Sequence, residues 1–265
     1  MGVLNCYPIF ISRPMFDIAI ESLQFLKEDG YQCNDFFMRY VILTIFFFCS
    51  FVFTSKMYSR DYFPITDFSK KELTKGEPLG WKTHKGICRE IKNRIMPRIV
   101  ETEGRKMLYV NANDNGAILF KPVRLNPKEY PLLSWNWKIS NIIPASREKE
   151  EGGDDYPAAV CVVYGKTFLS IPYSYRILIY VYGNNLPVGE RFENPCEAKA
   201  KMIVVQSGAQ DTGKWLSYKV NHYRDYMQEF GEEPPKIIYV GIQTNADRNH
   251  GNVEAWYSDI LLNKY

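Results

Sequence analysis

The chain has 265 residues, of which 46% are apolar and 15% aromatic, so it can build at least one sizeable hydrophobic core. Its 33 basic and 30 acidic side chains leave a net charge of only +3, and the basic residues are scattered along the sequence. Since no zinc-finger, RNA-recognition or helix-turn-helix pattern accompanies them, the sequence argues against a nucleic-acid-binding protein.

The first feature along the chain is the apolar run VILTIFFFCSFVF at residues 41–53, which follows Met38 and Arg39. The run is short for a bilayer span of about 20 residues and is close in length to the apolar core of a signal peptide. We therefore predict a translation start at Met38, which leaves residues 1–37 as an untranslated extension. Residues 38–55 are then a signal peptide or an uncleaved membrane anchor. Both alternatives predict a cell-envelope protein that is periplasmic or secreted, and membrane-anchored through residues 41–53 if the segment is retained.

Residues 56–80 are polar and are predicted to be a linker into a folded domain at residues 81–265. In that domain, short apolar or alternating runs are separated by turn-forming residues such as Gly and Asn. The predicted strands are 98–112 (a hairpin that turns at Glu103-Gly104), 117–125, 133–139, 158–164, 176–182, 201–206, 215–220, 236–244 and 254–262. Apolar residues at helical spacing predict one helix at 223–230, which Gly231 ends.

About nine strands and one short helix, with no regular alternation of the two, predict an all-β fold. The expected architecture is an antiparallel β-sandwich or jelly roll. Trp135 and Trp137 alternate with polar residues, which predicts a strand with one buried face. Residues 158–164 are apolar on both faces and predict a central strand. Ile118 and Phe120 are expected to point inward from their strand.

Catalytic and metal-binding motifs of recognised type do not occur in the sequence. It contains no GxSxG, P-loop, HExxH or GxGxxG pattern, and its three histidines are far apart. Cys88, Cys161 and Cys196 are the only cysteines in the predicted domain and form no CxxC pair, so neither a disulfide framework nor a zinc site is expected. We predict no cofactor and no metal, and we favour a non-catalytic protein.

Two polar loops are the main candidate binding sites. Asp154, Asp155 and Tyr156 lie where a charged loop meets a strand, and adjacent carboxylates can hold a hard cation or hydrogen-bond hydroxyl groups. The alternative is that they accept backbone N–H groups and keep a strand edge soluble. Asn245 and Asp247 follow a buried strand and form the second candidate, with a simple polar turn as the alternative. We expect the two loops to meet at the same rim of the sandwich.

Two further candidates lie in regular elements. Arg224 and Asp225 open the predicted helix, where an acidic residue also suits the positive N-terminal end. Trp135 and Trp137 share one strand face, where they can form an aromatic platform for a sugar ring or can fill the core. Both alternatives stay open for each pair.

Several blocks of the chain together resemble one known family. The blocks are YPLLSWNWKI, DDYPAAVCVVYG, LIYVYGNNLPVGE, KMIVVQSG, HYRDYMQEFG and IIYVGIQTNADRN, and their order and spacing resemble the bacterial domain-of-unknown-function family 3047. The resemblance covers roughly residues 81–265. It implies an exported jelly-roll sandwich similar to galactose-binding-like domains, and it implies no catalytic residue.

The resemblance also implies a correspondence of positions. The family's Trp-x-Trp, acidic pair and helix start fall on Trp135 and Trp137, on Asp154 and Asp155, and on Asn221, Arg224, Asp225 and Tyr226. Two positions depart from the family pattern. Asn245 replaces the first carboxylate of a Thr-Asp-x-Asp loop, and Ala159 stands where relatives tend to carry arginine. These departures weaken the case for a cation or a charge-paired site at those loops.

The sequence as a whole predicts an exported, non-catalytic module that binds a glycan or glycoconjugate. One alternative is a glycoside hydrolase that uses Asp155 with Asp225 or Asp247 as acid and base, which requires carboxylates about 5–10 Å apart. Another is a structural or assembly protein of the envelope, which would expose a large apolar patch to a partner. The sequence specifies neither the ligand nor the oligomeric state.

Overall fold

The computed structural model describes residues 61–68, 73–74, 77–78, 80–83, 94–102, 104–168 and 171–265. All of these residues belong to one compact unit, Arg60–Tyr265. The predicted start at Met38 and the apolar run at residues 41–53 lie outside the described residues. Within the described ranges, no helix has the length and apolar character needed to cross a bilayer.

Strands dominate the described part of the chain. They are β1 (Tyr62–Pro64), β2 (Leu73–Thr74), β3 (Glu77–Pro78), β4 (Arg98–Thr102), β5 (Arg105–Asn113), β6 (Gly116–Leu125), β7 (Leu132–Ile139), β8 (Tyr156–Phe168), β9 (Ile171–Gly183), β10 (Arg191–Glu193), β11 (Ala200–Ser207), β12 (Leu216–Val220), β13 (Ile237–Asn245) and β14 (Asn252–Asn263). One α-helix, α1 (His222–Phe230), and a short 3-10 helix, Ala209–Asp211, complete the described elements. These elements confirm the predicted all-β fold with one helix.

The strands form two six-stranded sheets, which pack as a β-sandwich. Sheet I has the order β12-β7-β14-β5-β4, with β1 paired to β14, and sheet II has the order β10-β11-β9-β8-β13-β6. A separate small hairpin joins β2 and β3. Pairing is antiparallel throughout, except that β11 runs parallel to β9. The antiparallel prediction therefore fails for this one pair, because the chain crosses back through β10 before it enters β11.

Strand β1 lies in the part of the sequence predicted to be a linker. Its residues pair with the last three residues of β14, opposite Leu261, Leu262 and Asn263. Strand β5 pairs only with the first half of β14, as far as Tyr257. A bulge at Asp259, whose φ is +50°, separates the two halves. Strand β1 therefore pairs with β14 beyond the point at which β5 stops.

The core lies between the two sheets and is rich in aromatic rings. Trp135 and Trp137 extend from β7 into this core and are 1% and 0% exposed. The Trp135 ring lies 5.6 Å from the ring of Tyr180 on sheet II, and the Trp137 ring lies 6.1 Å from that of Tyr182. Such offset pairs add to the large apolar area that each ring buries.

Sheet II is apolar on both faces, as the sequence predicts for β8. In β6, Leu119 faces the core between the sheets, whereas Ile118 and Phe120 belong to a second buried cluster on the opposite face. The prediction that Ile118 and Phe120 face the inter-sheet core is therefore wrong, although both are buried. Alternation cannot show which side is inward when both faces of a strand are apolar.

Helix α1 ends at Phe230 as its sequence predicts and begins at His222, one residue before the predicted start. The Asn221 side chain accepts a hydrogen bond from the Arg224 N–H at 2.9 Å, and Gly231 ends the helix with φ +70°. At its first residue, His222 is fully buried, with Nδ1 2.8 Å from the Tyr164 hydroxyl and Nε2 2.7 Å from the Tyr130 carbonyl. Because the carbonyl can only accept, Nε2 donates. Burial lowers the pKa of His222 to about 4, so the ring is neutral at neutral pH.

Candidate functional site

The two predicted polar loops do meet, and Asp155 joins them. Its Oδ2 accepts hydrogen bonds from the backbone N–H groups of Arg248 (3.1 Å) and Asn249 (2.7 Å). The side-chain amide of Asn249 donates a third, at 2.9 Å. This juxtaposition confirms the expectation that the acidic pair and the late loop share one rim of the sandwich.

Burial decides what this junction can do. Asp154 and Asp155 are 2% and 0% exposed, and Asn245 and Asp247 are 1% and 6% exposed. Burial raises the pKa of Asp155, an effect that the hydrogen bonds from Asn249 and Arg248 oppose. Among the described residues, no group of three or more acidic, His or Cys side chains has the geometry of a metal site. The geometry fits the structural alternative, in which Asp155 holds a turn in place.

Glu148, which the sequence prediction did not single out, and Tyr156, which it did, hold the loop that carries the acidic pair. Glu148 is buried and accepts the backbone N–H groups of Asn184, Asn185 and Leu186 at 2.8, 3.0 and 3.2 Å. The Tyr156 hydroxyl donates to the Glu148 carbonyl at 2.9 Å. Charged residues surround Glu148 in sequence, so nothing marks it as the one that is buried.

Helix residues Arg224 and Asp225 have different environments in the structure. Arg224 is exposed, whereas Asp225 accepts hydrogen bonds from Arg191 at 2.7 Å and from the core Tyr180 hydroxyl at 2.8 Å. Arg191 also pairs with Glu229 at 2.8 Å. Asp225 therefore links the helix to β9 and β10, two strands of sheet II.

The tryptophans of β7 cannot form a surface platform. A sugar ring stacks on an exposed aromatic face, and Trp135 and Trp137 are enclosed by the core. The structure thus corrects the platform alternative for this pair. The reason is that the polar residues of β7, including Asn136 and Lys138, point to the outside instead.

The outward face of sheet I carries a different aromatic set. Lys138, Trp256, Tyr109 and Arg98 stand directly opposite one another on β7, β14, β5 and β4. Trp215 precedes β12 and reaches the same lysine. We call these five side chains the cation–aromatic row.

Each cation of this row lies over an aromatic ring. The Lys138 Nζ atom lies 4.3 Å from the Trp256 ring centroid and 5.4 Å from that of Trp215. The Trp256 and Tyr109 rings are 5.3 Å apart, and the Arg98 guanidinium lies 5.5 Å from the Tyr109 ring. Each such contact contributes on the order of 0.5–1 kcal/mol at an exposed site, so the row has a defined shape. Trp215 is 43% exposed and leaves ring surface open to solvent.

Beside the row lies a groove of about 170 Å³, which we call the sheet I groove. Trp215, Trp256 and Lys138 form one part of its lining. The hydrogen-bonding side chains in the rest of the lining are Thr102, Arg105, Asn136, Ser217 and Ser258, and Met107 adds an apolar contact. A second polar depression, lined by Asn111, Ser140, Asn141, Asn252 and Glu254, lies further along the same strands.

The groove combines two kinds of recognition chemistry. Trp215 and Trp256 offer flat apolar surface, and hydroxyl and amide groups can both donate and accept hydrogen bonds. Small-ligand sites have this composition of aromatic walls with a few convergent polar groups. Asp155, Asp225 and Asp247 line neither groove nor depression. These three carboxylates therefore lie outside the lining in which the aromatic and polar groups meet.

Sequence periodicity predicts part of this arrangement, namely the outward positions of Trp256 and Trp215. Trp256 has the same strand parity as Glu254 and Ser258, which indicates an outward position. Trp215 similarly alternates with Ser217. The sequence could not show that β12 and β14 flank β7 in sheet I, because α1 and β13 separate these two strands along the chain. For that reason, the groove cannot be predicted from the sequence.

The fold and the groove define a β-sandwich domain with an open aromatic face. The chain belongs to the family described as "Protein of unknown function (DUF3047)", whose model matches residues 80–261. This match confirms the resemblance found in the sequence blocks. Among curated protein sequences, none matches this chain.

Several solved structures show partial similarity to this chain. A family 30 carbohydrate-binding module of a Clostridium thermocellum cellulosomal cellulase has TM-score 0.33 and 14% identity, covering 62% of this chain and 80% of that chain. The Emp47p carbohydrate recognition domain has TM-score 0.36 and 12% identity, covering 78% and 97%. Endoglucanase 3 of Trichoderma harzianum, from family GH12, has TM-score 0.34 and 8% identity, covering 62% and 80%. Similarity at this level is too low to transfer a ligand or an activity.

Proposed function

We propose that this protein is a non-catalytic module that binds carbohydrate chains in the sheet I groove. The observation that carries the proposal is the pairing of Trp215 with Lys138 and Trp256 beside a groove lined by hydroxyl and amide groups. A sugar ring has a C–H-rich face that suits an indole and a hydroxyl rim that suits mixed donors and acceptors.

Trp215 is the side chain that would contact a ligand first. The Trp256 ring already has the Lys138 ammonium over it at 4.3 Å, so this ring serves mainly as a wall. Trp215 holds the same lysine at the longer distance of 5.4 Å and is 43% exposed. Its free ring surface is the natural stacking position, with Asn136 and Ser217 placed to bond the sugar hydroxyls.

A glycan array followed by affinity measurements on the full chain tests the proposal. The full chain is used because β1 belongs to sheet I, so a fragment that starts at residue 81 would lack one strand. Substitution Trp215→Ala should weaken binding of the best glycan at least about tenfold, as for an aromatic anchor of a binding site.

Met227→Ala is the matched control, because Met227 is also 43% exposed and lies on α1, outside the groove. Its affinity should stay within about twofold of the wild type. A folded wild-type protein that binds no glycan on the array contradicts the proposal. So does a Trp215→Ala variant that binds as well as the wild type.

Export stays part of this proposal. The apolar run at residues 41–53 motivates it, and an envelope glycan would be reached only by an exported protein. N-terminal sequencing of the protein recovered from the periplasm, the membrane and the medium checks it. Recovery of the whole protein from the cytosol contradicts it.

A further inference from the structure

The charge on the sheet I groove is not balanced by its own lining. Arg105 and Lys138 both line the groove, and no acidic side chain does. Neither cation takes part in a salt bridge among the described residues. Lys138 is held between indole rings, which orient its ammonium group without neutralising its charge.

Two carboxylates of β14, Asp259 and Glu254, have other partners. Asp259 accepts hydrogen bonds from Asn136 at 2.7 Å and from Ser258 at 3.2 Å. Glu254 accepts the hydroxyl of Tyr109. The oxygens of both carboxylates accept hydrogen bonds from neutral groups and not from Arg105 or Lys138. A ligand anion would therefore meet two cations without displacing an internal partner.

Arginine and lysine offer complementary recognition of an oxyanion. The guanidinium fork can bind a carboxylate or sulfate through two parallel hydrogen bonds, and the ammonium acts as a compact point charge. Trp215, in the same lining, supplies the apolar surface for the ring that carries the anion. This combination distinguishes an acidic sugar from a neutral sugar and also from a polyanion without rings.

Accordingly, we propose that the sheet I groove selects acidic glycans, with Arg105 and Lys138 receiving a carboxylate or sulfate group while the sugar ring stacks on Trp215. This inference rests on the proposed function and narrows its ligand class. Uronic acids and sulfated sugars present the same anionic chemistry, and the experiment separates them.

Matched polymers provide the test. Binding of the full chain is measured for polygalacturonate and for its neutral methyl ester, and for dextran sulfate and dextran. Each charged polymer shares its backbone with its neutral partner, so only the anion differs. Polyglutamate serves as a polyanion without sugar rings. We expect at least one charged glycan to bind about tenfold tighter than its neutral partner and than polyglutamate, with affinity falling as salt rises.

Arg105→Gln should reduce affinity for the charged glycan about tenfold and affinity for a neutral glycan less than about twofold. Arg224→Gln makes the same charge change on the exposed side of α1 and should leave both affinities unchanged. Polygalacturonate and dextran sulfate report whether carboxylate or sulfate is preferred.

The outcomes separate this inference from the proposed function. Equal binding of charged and neutral partners overturns the acidic selectivity but leaves carbohydrate binding intact. Equal binding of polyglutamate and the charged glycans overturns both, because the groove would then recognise charge alone. Absence of binding to every polymer, with no ligand on the glycan array, overturns both as well.

Discussion

Substitution of Asp155 by alanine tests whether the acidic pair is structural. The change removes the acceptor for two backbone N–H groups, those of Arg248 and Asn249, at 3.1 and 2.7 Å. The Asn249 amide loses a third bond but keeps the Gly153 carbonyl at 3.3 Å, so we count only the two backbone donors. Each buried donor left without a partner costs about 1–3 kcal/mol, which gives about 2–6 kcal/mol in total.

The charge of Asp155 reduces this cost. Burial raises the pKa of the Asp155 carboxyl above its ordinary value of 3.8, which means that the ionised form is disfavoured in the folded state. Removing the Asp155 carboxylate relieves part of the free-energy cost of burying its charge. We therefore expect Asp155→Ala to lower the free energy of unfolding by about 2–4 kcal/mol at neutral pH.

The pH dependence has a definite sign. Because the folded state binds the Asp155 proton more tightly than the unfolded chain, the stability it contributes is fully present below pH 3.8 and is lost as pH rises through the native pKa. Acidification should therefore stabilise the wild type relative to Asp155→Asn, whose amide does not titrate. The Asn variant should cost less than Ala at neutral pH, because its amide oxygen still accepts a hydrogen bond.

Urea unfolding followed by tryptophan fluorescence measures these differences. Glu151→Ala is the control, because Glu151 is an exposed carboxylate in the same loop, and its effect should stay within about 0.5 kcal/mol. Folded Asp155→Ala protein should bind glycan as the wild type does. An unchanged unfolding midpoint combined with lost binding would refute the structural role and restore Asp155 as a ligand contact.

Three further predictions concern the core. Trp135→Ala should lower the free energy of unfolding by about 3–5 kcal/mol, whereas Trp215→Ala should lower it by less than about 1 kcal/mol, because only the Trp135 ring is buried. Similar urea midpoints for the two variants would contradict this assignment. Burial lowers the pKa of His222 to about 4 from an ordinary 6.5, so the unfolded chain binds this proton first as the pH falls. The free energy of unfolding of the wild type should therefore fall by about 3 kcal/mol between pH 6.5 and pH 4. His222→Gln should lack this fall, which acid titrations of the two proteins in parallel would reveal. A Cβ at Gly241 would lie 2.6 Å from the Phe120 ring, so Gly241→Ala should cost about 1–3 kcal/mol, and a thermal midpoint equal to the wild type would contradict the close approach.

Local signals in the sequence account for most of the secondary structure. The alternation in β7 marks its buried and exposed faces, and both ends of α1 are fixed by Asn221 and Gly231, which cap it. These features depend on residues a few positions apart, so a local pattern is sufficient. The same holds for the hairpin of β4 and β5, which pair antiparallel across the predicted turn.

Long-range contacts decided the residues for which the sequence left alternatives. Whether Asp155 binds a ligand or holds a turn depends on N–H groups of residues 248 and 249, more than 90 positions away. Glu148 became a buried clamp only because it meets the turn that begins at Asn184. A carboxylate in a charged loop looks the same in sequence whether it is paired or free.

The sequence by itself determined that the protein is a strand-rich sandwich with one capped helix, because a period of two along a strand and the end signals of a helix are local properties. Only the tertiary structure decided which aromatic residues are exposed. It enclosed Trp135 and Trp137 between the sheets and brought Trp215 and Trp256 to one outward groove with Lys138. The physical reason is that the order and register of strands depend on hydrogen bonds between distant segments, and those contacts determine which faces become core and which meet solvent.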